Sequence, residues 1–582
     1  MTVEREIQDS RAPDVGADFD AVVVGAGFAG LYMLHRLRGL GFSARVYEAG
    51  GGVGGTWYWN RYPGARCDIE SMQYSYSFSE ELDQEWSWSE KYAPQPEILA
   101  YANHVADRFN LRPDIRFETR VTAATFDEGR KRWLIRTDRG DQVSAQFCIM
   151  AVGNLSAVNL PSFEGLADFQ GPLYHTARWP EAGVDFTGLR VGVIGTGSSA
   201  IQSIPIIAHQ ASSLTVVQRT PAYSVPAWNE KLRPEYLRTV KAAYPALRAK
   251  ARARPTGYYF PFNTRSALAA TADERERQYE EAWARGGLPF LGAFGDLLFE
   301  KEANDTVAEF ARRKIRAIVK DPATAAMLSP DNVFGCKRLC VDSGYYETYN
   351  LPHVRLVDVS KQPIERFTRQ GIVTGGVEYP LDAVVSATGF TAITGAFDQI
   401  QITGRNGQTL IEKWRAGPRT YLGLSSAGFP NFFMIAGPGS PSVLASMIQA
   451  IEQHVDWMVD CMGHMRDIGA ATIEAIGAYE DDWVEHVNEV AKVSLRSTCS
   501  SWYVGANVPG RPRVFMPYIG GFPIYVQKCN EVMTRGFEGF VLAGGRADGV
   551  QPKVRWTERW RVPLDMDVIS PADIAARRVP VV

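Results

Sequence analysis

Apolar residues along this chain follow two rhythms. Short β-branched runs stop at glycine, and longer stretches follow in which leucines recur every three or four positions. The first such unit runs from Phe19 to Leu40: FDAVVV enters GAGFAG, and Leu31, Leu34, Leu37 and Leu40 then repeat at helical spacing. An apolar run ending in a glycine turn predicts a strand, and the repeat predicts a helix with one buried face. The next run, ARVYEAG, predicts a second strand ending at Glu48. A helical stretch from Pro96 to Phe109 then precedes short alternating segments, IRFETRVTAATF and RWLIRT, which predict a hairpin-bearing continuation of the same unit. CIMAVGNLS, from Cys148 to Ser156, predicts another strand closing in a glycine turn. RVGVIGTGSSA then restarts the strand–turn–helix pattern at Arg190, and LTVVQRT supplies its next strand, reaching Arg219.

From residue 226 to residue 330 the pattern changes. TADERERQYEEAWARGG and ANDTVAEFARRKIRAIVKDP are charge-rich and helical, with Val307, Phe310, Ile315 and Ile318 on one stripe. They predict a helical insertion whose charges form a solvated face. The strand LDAVVSATGF (381–390) and a glycine-proline turn after Phe432 lead back toward the first unit. SSWYVGANVPGRPRVFMPYIGGF (500–522) is punctuated by glycine and proline and predicts a mobile, aromatic-bearing loop. The fold class is therefore α/β, with two Rossmann-like dinucleotide-binding domains and a helical insertion. The boundaries are an N-terminal arm (1–20), the first domain (21–158), the second (159–225), the insertion (226–330), a return to the second domain (331–385), a return to the first with the mobile loop (386–545), and a C-terminal tail (546–582).

Composition narrows the function classes. The chain has 582 residues, 45% hydrophobic and 22% charged, with a formal net charge of -3. Nothing in that balance favours nucleic acid or an anionic membrane as partner. The N-terminus MTVEREIQDS lacks the apolar run of a signal peptide, and the most apolar long stretch, Phe429 to Met447, is broken by Gly437, Pro438, Gly439 and Pro441. The seven cysteines form no Cys-x-x-Cys, so no metal site and no dithiol redox centre is predicted, and free thiols in a reducing cytoplasm are expected. The sequence does not indicate an oligomeric state.

The two glycine turns carry the first candidate chemistry. Gly25, Gly27 and Gly30, with Phe28 between them, open one helix; Gly195, Gly197 and Ala200, with Ser198 and Ser199, open the other, and Gln202 follows. Such turns let backbone N–H groups and the positive end of a helix face a pyrophosphate. Glu48 lies 18 residues after Gly30, whereas Arg219 lies 19 after Ala200. A carboxylate there accepts hydrogen bonds from ribose hydroxyls and repels a 2′-phosphate; arginine clamps one. FAD is therefore assigned to the first unit and NADPH to the second. GGTWYWNRYPGARCD (54–68) adds a rigid aromatic segment, with Thr56, Trp57, Tyr58, Trp59, Tyr62 and Pro63, that suits the wall of an isoalloxazine ring and ends at Asp68. Val121 is also taken as a candidate cofactor-binding residue.

Between the two units lies FQGPLYHTARWP. Its spacing, Phe169-x-Gly171-x-x-x-His175-x-x-x-Trp179-Pro180, resembles the fingerprint of type I Baeyer–Villiger monooxygenases, flavoproteins that insert an oxygen atom from O2 beside a ketone carbonyl. Gly54, Gly55, Trp57, Tyr62, Pro63, Gly64 and Asp68 match the family's second motif. The resemblance covers roughly residues 20 to 543 and is nearest to the phenylacetone, steroid and large-ring ketone monooxygenases. It implies that Arg338 is the active-site arginine, held by Asp68, and that Trp502 lies on a loop closing over the nicotinamide. It implies that Lys337, Arg219 and Thr220 hold the NADPH phosphate. Glu48, Thr56, Trp57, Asp68, Tyr74 and Met447 match flavin contacts, while Ser442, Val443, Leu444 and Met516 match positions lining the substrate pocket.

The implied reaction proceeds through a C4a-peroxyflavin and gives an ester or lactone from a ketone, here a bulky cyclic, aryl or steroid- or terpenoid-like one. His175 is expected to position the two units and not to act as a base. The rival readings are a flavin monooxygenase acting on amines or sulfides and a non-catalytic nucleotide-binding redox sensor. The tail after Gly545 extends beyond the family pattern, carries none of the assigned groups, and is expected to be dispensable for chemistry.

Overall fold

The computed structural model describes residues 13–546 and 550–561. The first predicted strand is longer than its apolar run. It spans Val15–Val24, so the arm expected over residues 1–20 gives way to sheet at Val15, and residues 1–12 of it lie outside the described residues. Pairing explains the extension: Val15 and Asp18 lie opposite Gln142 and Ser144 on the parallel neighbour, and Asp18 accepts a hydrogen bond from the Ser144 hydroxyl.

Val15–Val24 is flanked in parallel by Ala44–Tyr47 and Gln142–Met150. The first half of Gln142–Met150 also pairs antiparallel with Arg132–Thr137, which in turn pairs antiparallel with Val121–Asp127 to form the predicted hairpin. Its last residues, Cys148 to Met150, take a different partner, the parallel strand Phe432–Met434. A strand far later in the chain, Phe432–Met434, therefore joins the first sheet.

The second sheet has five strands, all parallel: Val354–Asp358, Ser213–Gln218, Arg190–Ile194, Ala383–Ser386 and Leu173–His175. The helix Ser198–Gln210 covers it through Ile201, Ile204 and Ile207, all fully buried. The insertion forms four helices, Pro234–Arg252, Ala272–Arg285, Lys301–Ile318 and Pro322–Leu328. Val307, Phe310 and Ile315 are buried and Ile318 half-buried, as the stripe predicts. Val307 and Phe310 pack within the insertion while Ile315 packs against the second sheet, so this helix fastens the insertion to that domain. Among the described residues no helix is long and apolar enough to cross a membrane.

The described part of the tail packs against the long helix Met447–Ile468. The Asp460 carboxylate accepts backbone N–H bonds from Arg555, Trp556 and Thr557. Arg559 forms a 2.7 Å ion pair with Asp456, and Trp560 is 2% exposed and donates its indole N–H to the same carboxylate. Asp456 in turn accepts from Tyr32 and Arg36 on the helix Phe28–Gly39, which opens at the first glycine turn. The rest of the tail, residues 562–582, lies outside the described residues.

Candidate active site

Both glycine turns are built alike. A Cβ at Gly25 would sit 2.6 Å from the Ala151 carbonyl oxygen, and one at Gly195 would sit 2.5 Å from that of Ala387. Each turn thus presses its backbone against the end of the neighbouring parallel strand, which only glycine permits. The helices that follow start at Gly27 and Gly197, with no side-chain cap and no acidic residue in the first turn. Orphan N–H groups at an uncapped, acid-free helix start suit an anionic pyrophosphate. Glu48 is buried at 5% exposure, and its two oxygens accept from the Ala26 and Gly50 N–H groups at 2.7 Å each. Burial raises its pKa despite those bonds. Its carboxylate therefore fastens the glycine turn to the next loop, and each oxygen keeps a lone pair for a ribose hydroxyl.

The aromatic segment forms the helix Thr56–Trp59, reached through Gly54 and Gly55, both with positive φ. The Trp57 indole donates to the Tyr74 hydroxyl at 3.0 Å, and the Tyr58 hydroxyl accepts from the Gly51 N–H. Phe28 packs on Tyr74, Tyr76 and Tyr101. Val121 is buried in the core beside Tyr47. The second family motif then crosses to the other domain. Gly64 lies so close to the helix Ser198–Gln210 that a Cβ would meet the Gln202 carbonyl oxygen at 2.3 Å. The Tyr62 hydroxyl donates to Gln202 Oε1 at 2.8 Å, and Gln202 Nε2 donates to the Arg66 carbonyl. Gln202, expected at the NADPH site, is thus tied to the flavin-side motif.

Asp68 lies two residues beyond Arg66, and there the domains meet through charge. Arg338 donates Nε to Asp68 Oδ2 at 2.5 Å and Nη2 to Oδ1 at 2.9 Å, a paired fork across 270 positions of sequence. Its Nη1 donates to the Val443 carbonyl at 3.0 Å. A guanidinium has five N–H donors; three are engaged here, which leaves two. The pair is half-buried, with 29% of the Arg338 side chain exposed. Burial works against the charge, but the Asp68 carboxylate outweighs it and raises the Arg338 pKa well above the ordinary value. The fixed cation therefore persists and presents an open edge.

Lys337 precedes Arg338 and lies within electrostatic reach of Arg219. Burial, reinforced by the neighbouring Arg219, pushes its pKa below the ordinary lysine value. Among the described residues no carboxylate forms an ion pair with Lys337 or Arg219. Two cations held together without an acid fit a phosphate. The carbonyl of Thr220, beside Arg219, accepts from the Thr196 hydroxyl inside the glycine turn.

The Phe169–Pro180 stretch lies at the sheet's edge. A Cβ at Gly171 would meet the Asp382 carbonyl at 2.3 Å and the Phe169 ring at 2.6 Å, and Trp179 packs on Tyr174 and Phe186. His175 is buried and pairs with Ser386 in the parallel ladder. Its Nδ1 accepts from the Ala177 N–H at 3.0 Å, so Nε2 carries the proton and faces Thr388 Oγ1 at 3.4 Å. Burial lowers its pKa to about 4. His175 is thus neutral at ordinary pH and links the fingerprint to the Ala-Thr-Gly strand end. Its depressed pKa contributes stability that is complete above the unfolded value of about 6.5 and is lost as pH falls toward 4. His175→Gln is expected to keep FAD content but slow turnover, and the wild-type pH–rate profile is expected to show no histidine inflection between pH 5 and 8 from this group. Stopped-flow rates across that range check both.

The comparisons with known proteins bear on this geometry. Residues 22–254 match the family model described as pyridine nucleotide-disulphide oxidoreductase. A Baeyer-Villiger monooxygenase of Pseudooceanicola batsensis is 41% identical over 539 residues, covering 92% of this chain and 98% of that protein. A solved structure of oxidized steroid monooxygenase bound to NADP superposes with a TM-score of 0.87 at 54% identity, covering 91% of this chain and 100% of that one. The chain belongs to the Baeyer–Villiger monooxygenase family. The phenazine N-monooxygenase of Lysobacter antibioticus, 40% identical over 90% of this chain and 97% of its own, is also a relative.

In this Baeyer–Villiger monooxygenase the predicted pocket residues are arranged by a 3-10 turn, Ser442–Leu444. Ser442 adopts a positive φ of 49° and accepts a 2.5 Å hydrogen bond from Asn154 Nδ2. That strained turn aims the Val443 carbonyl at Arg338. Val443 packs with Tyr503, Val504 and Phe515, with Leu444, Met447 and Trp502 alongside. Met516 joins Ala392 and Ile393, with Leu155 and Trp502 at the edge. The late loop is held down in this arrangement: Asn507 donates to the Phe390 carbonyl at 2.7 Å, and Met516 N–H to that of Tyr503 at 2.9 Å. Sequence reasoning missed Asn154, Thr388, Tyr258 and Tyr503. The last two contribute to the electrostatic environment of Arg338. Asn154 ends the VGN turn of the strand before the fingerprint, and Tyr503 adjoins Trp502, so both lay beside recognised motifs. Tyr258 lies in the insertion, where the sequence carried no signal.

Proposed function

We propose that this chain is an FAD- and NADPH-dependent monooxygenase that converts ketones to esters or lactones, with a bulky cyclic, aryl or steroid-like ketone as substrate class. The observation that carries the proposal is the Asp68–Arg338 fork with two uncommitted N–H donors on an accessible edge. The turn Gly25–Gly30 and Glu48 would hold FAD, with Thr56, Trp57, Tyr58, Trp59, Tyr74 and Met447 as its further contacts. Gly195–Ala200 would hold NADPH, Arg219, Thr220 and Lys337 would bind its 2′-phosphate, and Trp502 is assigned to its nicotinamide end. When bound, the two cofactors supply the electrons and the activation of O2.

The chain's own residues then do three things. Asp68 fixes the guanidinium plane through both its oxygens, so no reorganisation is needed when charge develops. Arg338 offers its free N–H groups to the oxyanion that forms on the substrate's carbonyl oxygen, and it cannot itself lose a proton. The turn at Ser442 and the loop bearing Trp502 close the site against water. All seven cysteines are free and buried, which supports a reducing compartment, the cytoplasm.

The test incubates yellow holoprotein with NADPH, O2 and a panel of ketones, sulfides and aromatic amines, and reads product mass. Esters or lactones support the proposal. N-oxides or sulfoxides without ester, or hydrogen peroxide alone, overturn it. Arg219→Ala is expected to raise the NADPH Michaelis constant about 10- to 100-fold, the worth of one charge-assisted hydrogen bond. The NADH constant is expected to stay within about twofold, since NADH lacks the phosphate. Equal losses with both coenzymes would remove the phosphate clamp.

A further inference from the structure

Two cysteines far apart in sequence meet beside the candidate active site. Cys336 immediately precedes Lys337 and Arg338, and Cys499 precedes Trp502 by three residues. The Cys336 bend is rigid. Asn304, fully buried, donates to the Phe334 carbonyl and accepts from the Phe334 N–H, both at 2.9 Å, and Gly335 turns the chain with a φ of +79°. The segment carrying Cys499 is strapped across this bend. Arg496 Nε donates to the Gly335 carbonyl at 3.0 Å, and Leu495 N–H to the Leu298 carbonyl at 2.9 Å. Those two anchors bring Cys336 and Cys499 close enough for each thiol to act on the other, with Cys499 Sγ donating to the Leu495 carbonyl at 3.3 Å.

We propose that Cys336 and Cys499 form a peroxide-sensitive dithiol site, which a small hydroperoxide such as H2O2 converts to a disulfide joining the Trp502 loop to the Arg338 bend. In the first step the Cys336 thiolate attacks one peroxide oxygen. An S–O bond forms, the O–O bond breaks, and the departing hydroxide takes up a proton as water. The Cys499 thiol then attacks the sulfenic sulfur, the S–O bond breaks, and a second water leaves. Two thiols lose two electrons in total, and both peroxide oxygens are reduced.

The environment assigns the roles within the pair. The neighbouring Cys499 thiol and the charges of Lys337 and Arg496 push the Cys336 thiol below its ordinary pKa, while burial opposes them. Cys67, Cys148, Cys340, Cys461 and Cys529 are all pushed upward, by burial first. A thiolate in an electropositive setting is the nucleophile, and an adjacent thiol resolves it. Cys499 also lies in irregular chain, which can shift to bring the sulfurs to a bond length of about 2.05 Å. The consequence for turnover rests on the reading of Lys337, Arg338 and Trp502 given above: a covalent tie would hold the loop in one position, and coenzyme exchange needs it to move.

The test treats FAD-loaded enzyme with increasing H2O2, blocks remaining thiols, and reads both peptides and rates. The expected result is a linked peptide pair containing Cys336 and Cys499, with a loss of roughly 2 Da for the bond. NADPH turnover is expected to fall about tenfold and to recover with dithiothreitol, as a loop-release block predicts. Cys499→Ser is expected to keep the untreated rate, to form no link, and to leave Cys336 open to sulfenic-acid trapping. Cys499→Ala controls for any effect of the introduced hydroxyl. Alkylation of both thiols after peroxide treatment, or a link that leaves turnover unchanged, would overturn the proposal. Because the link is read by mass, it is separable from any failure of the Arg338 reading, which is read by ester yield.

Discussion

Arg338→Ala is expected to abolish ester formation while flavin reduction by NADPH persists. The residue brings the only cation of the fork to the place where negative charge develops. Loss of one oxyanion-stabilising donor commonly costs about 100- to 1,000-fold in rate, and this residue offers two uncommitted N–H groups on a permanent charge. Ester yield should fall by at least about 100-fold, and the electrons from NADPH should appear as hydrogen peroxide. Arg338→Lys is expected to rescue little. A lysine ammonium cannot hold both Asp68 oxygens in one plane and still present donors to the substrate. If Arg338 were only a tie between domains, the variant would melt earlier but divide its product between ester and peroxide as the wild type does. Product mass, peroxide assay and a melting curve on the same preparation separate the two, and a normal ester fraction in Arg338→Ala would sink the mechanism.

Truncation after Gly545 is expected to destabilise the protein and release flavin, the reverse of what the sequence suggests for the tail. The reason is the buried charge network on the helix Met447–Ile468. Asp456 lies at 0% exposure with Arg559 at 2.7 Å and Arg36 at 3.2 Å. Removing the tail takes away Arg559 and the Trp560 indole and leaves Asp460 without its three backbone donors. Breaking one buried ion pair typically costs about 3–5 kcal/mol. The loss would reach the cofactor because Asp456 also binds Tyr32 and Arg36 on the helix that opens at the first glycine turn. Arg559→Ala, which keeps the tail, is expected to reproduce much of the effect. Flavin absorbance per protein and the unfolding temperature check it; a truncated protein with full flavin and an unchanged midpoint would make the tail a passive extension.

The two glycine turns were legible because their signal is local. A β-branched run, a glycine that admits no Cβ and a helical repeat are all neighbours in sequence, and the backbone they dictate does not depend on distant contacts. The aromatic segment and the Phe169–Pro180 spacing were legible for the same reason. The limits of Val15–Val24 were not, because its first residues are strand only through pairing with Gln142–Met150.

By itself, then, the sequence determined the α/β class, both nucleotide units, the insertion stripe and the residue types of the candidate chemistry. Tertiary structure alone decided which of those residues meet. Asp68 and Arg338 are 270 positions apart, and no periodicity links them. The Val443 carbonyl reaches Arg338 only because Asn154 holds the Ser442 turn in a strained backbone. Gln202 joins the domains because Gly64 allows a close approach that cannot be read from either segment alone. The tail packs on the core because Asp460, on a buried helix, takes its backbone donors from Arg555, Trp556 and Thr557, and Asp456 takes Arg559 and Trp560 in addition to Tyr32 and Arg36. Local backbone preference is written within a few residues. The pairing of buried charges is settled by desolvation, which depends on what the completed fold places beside them.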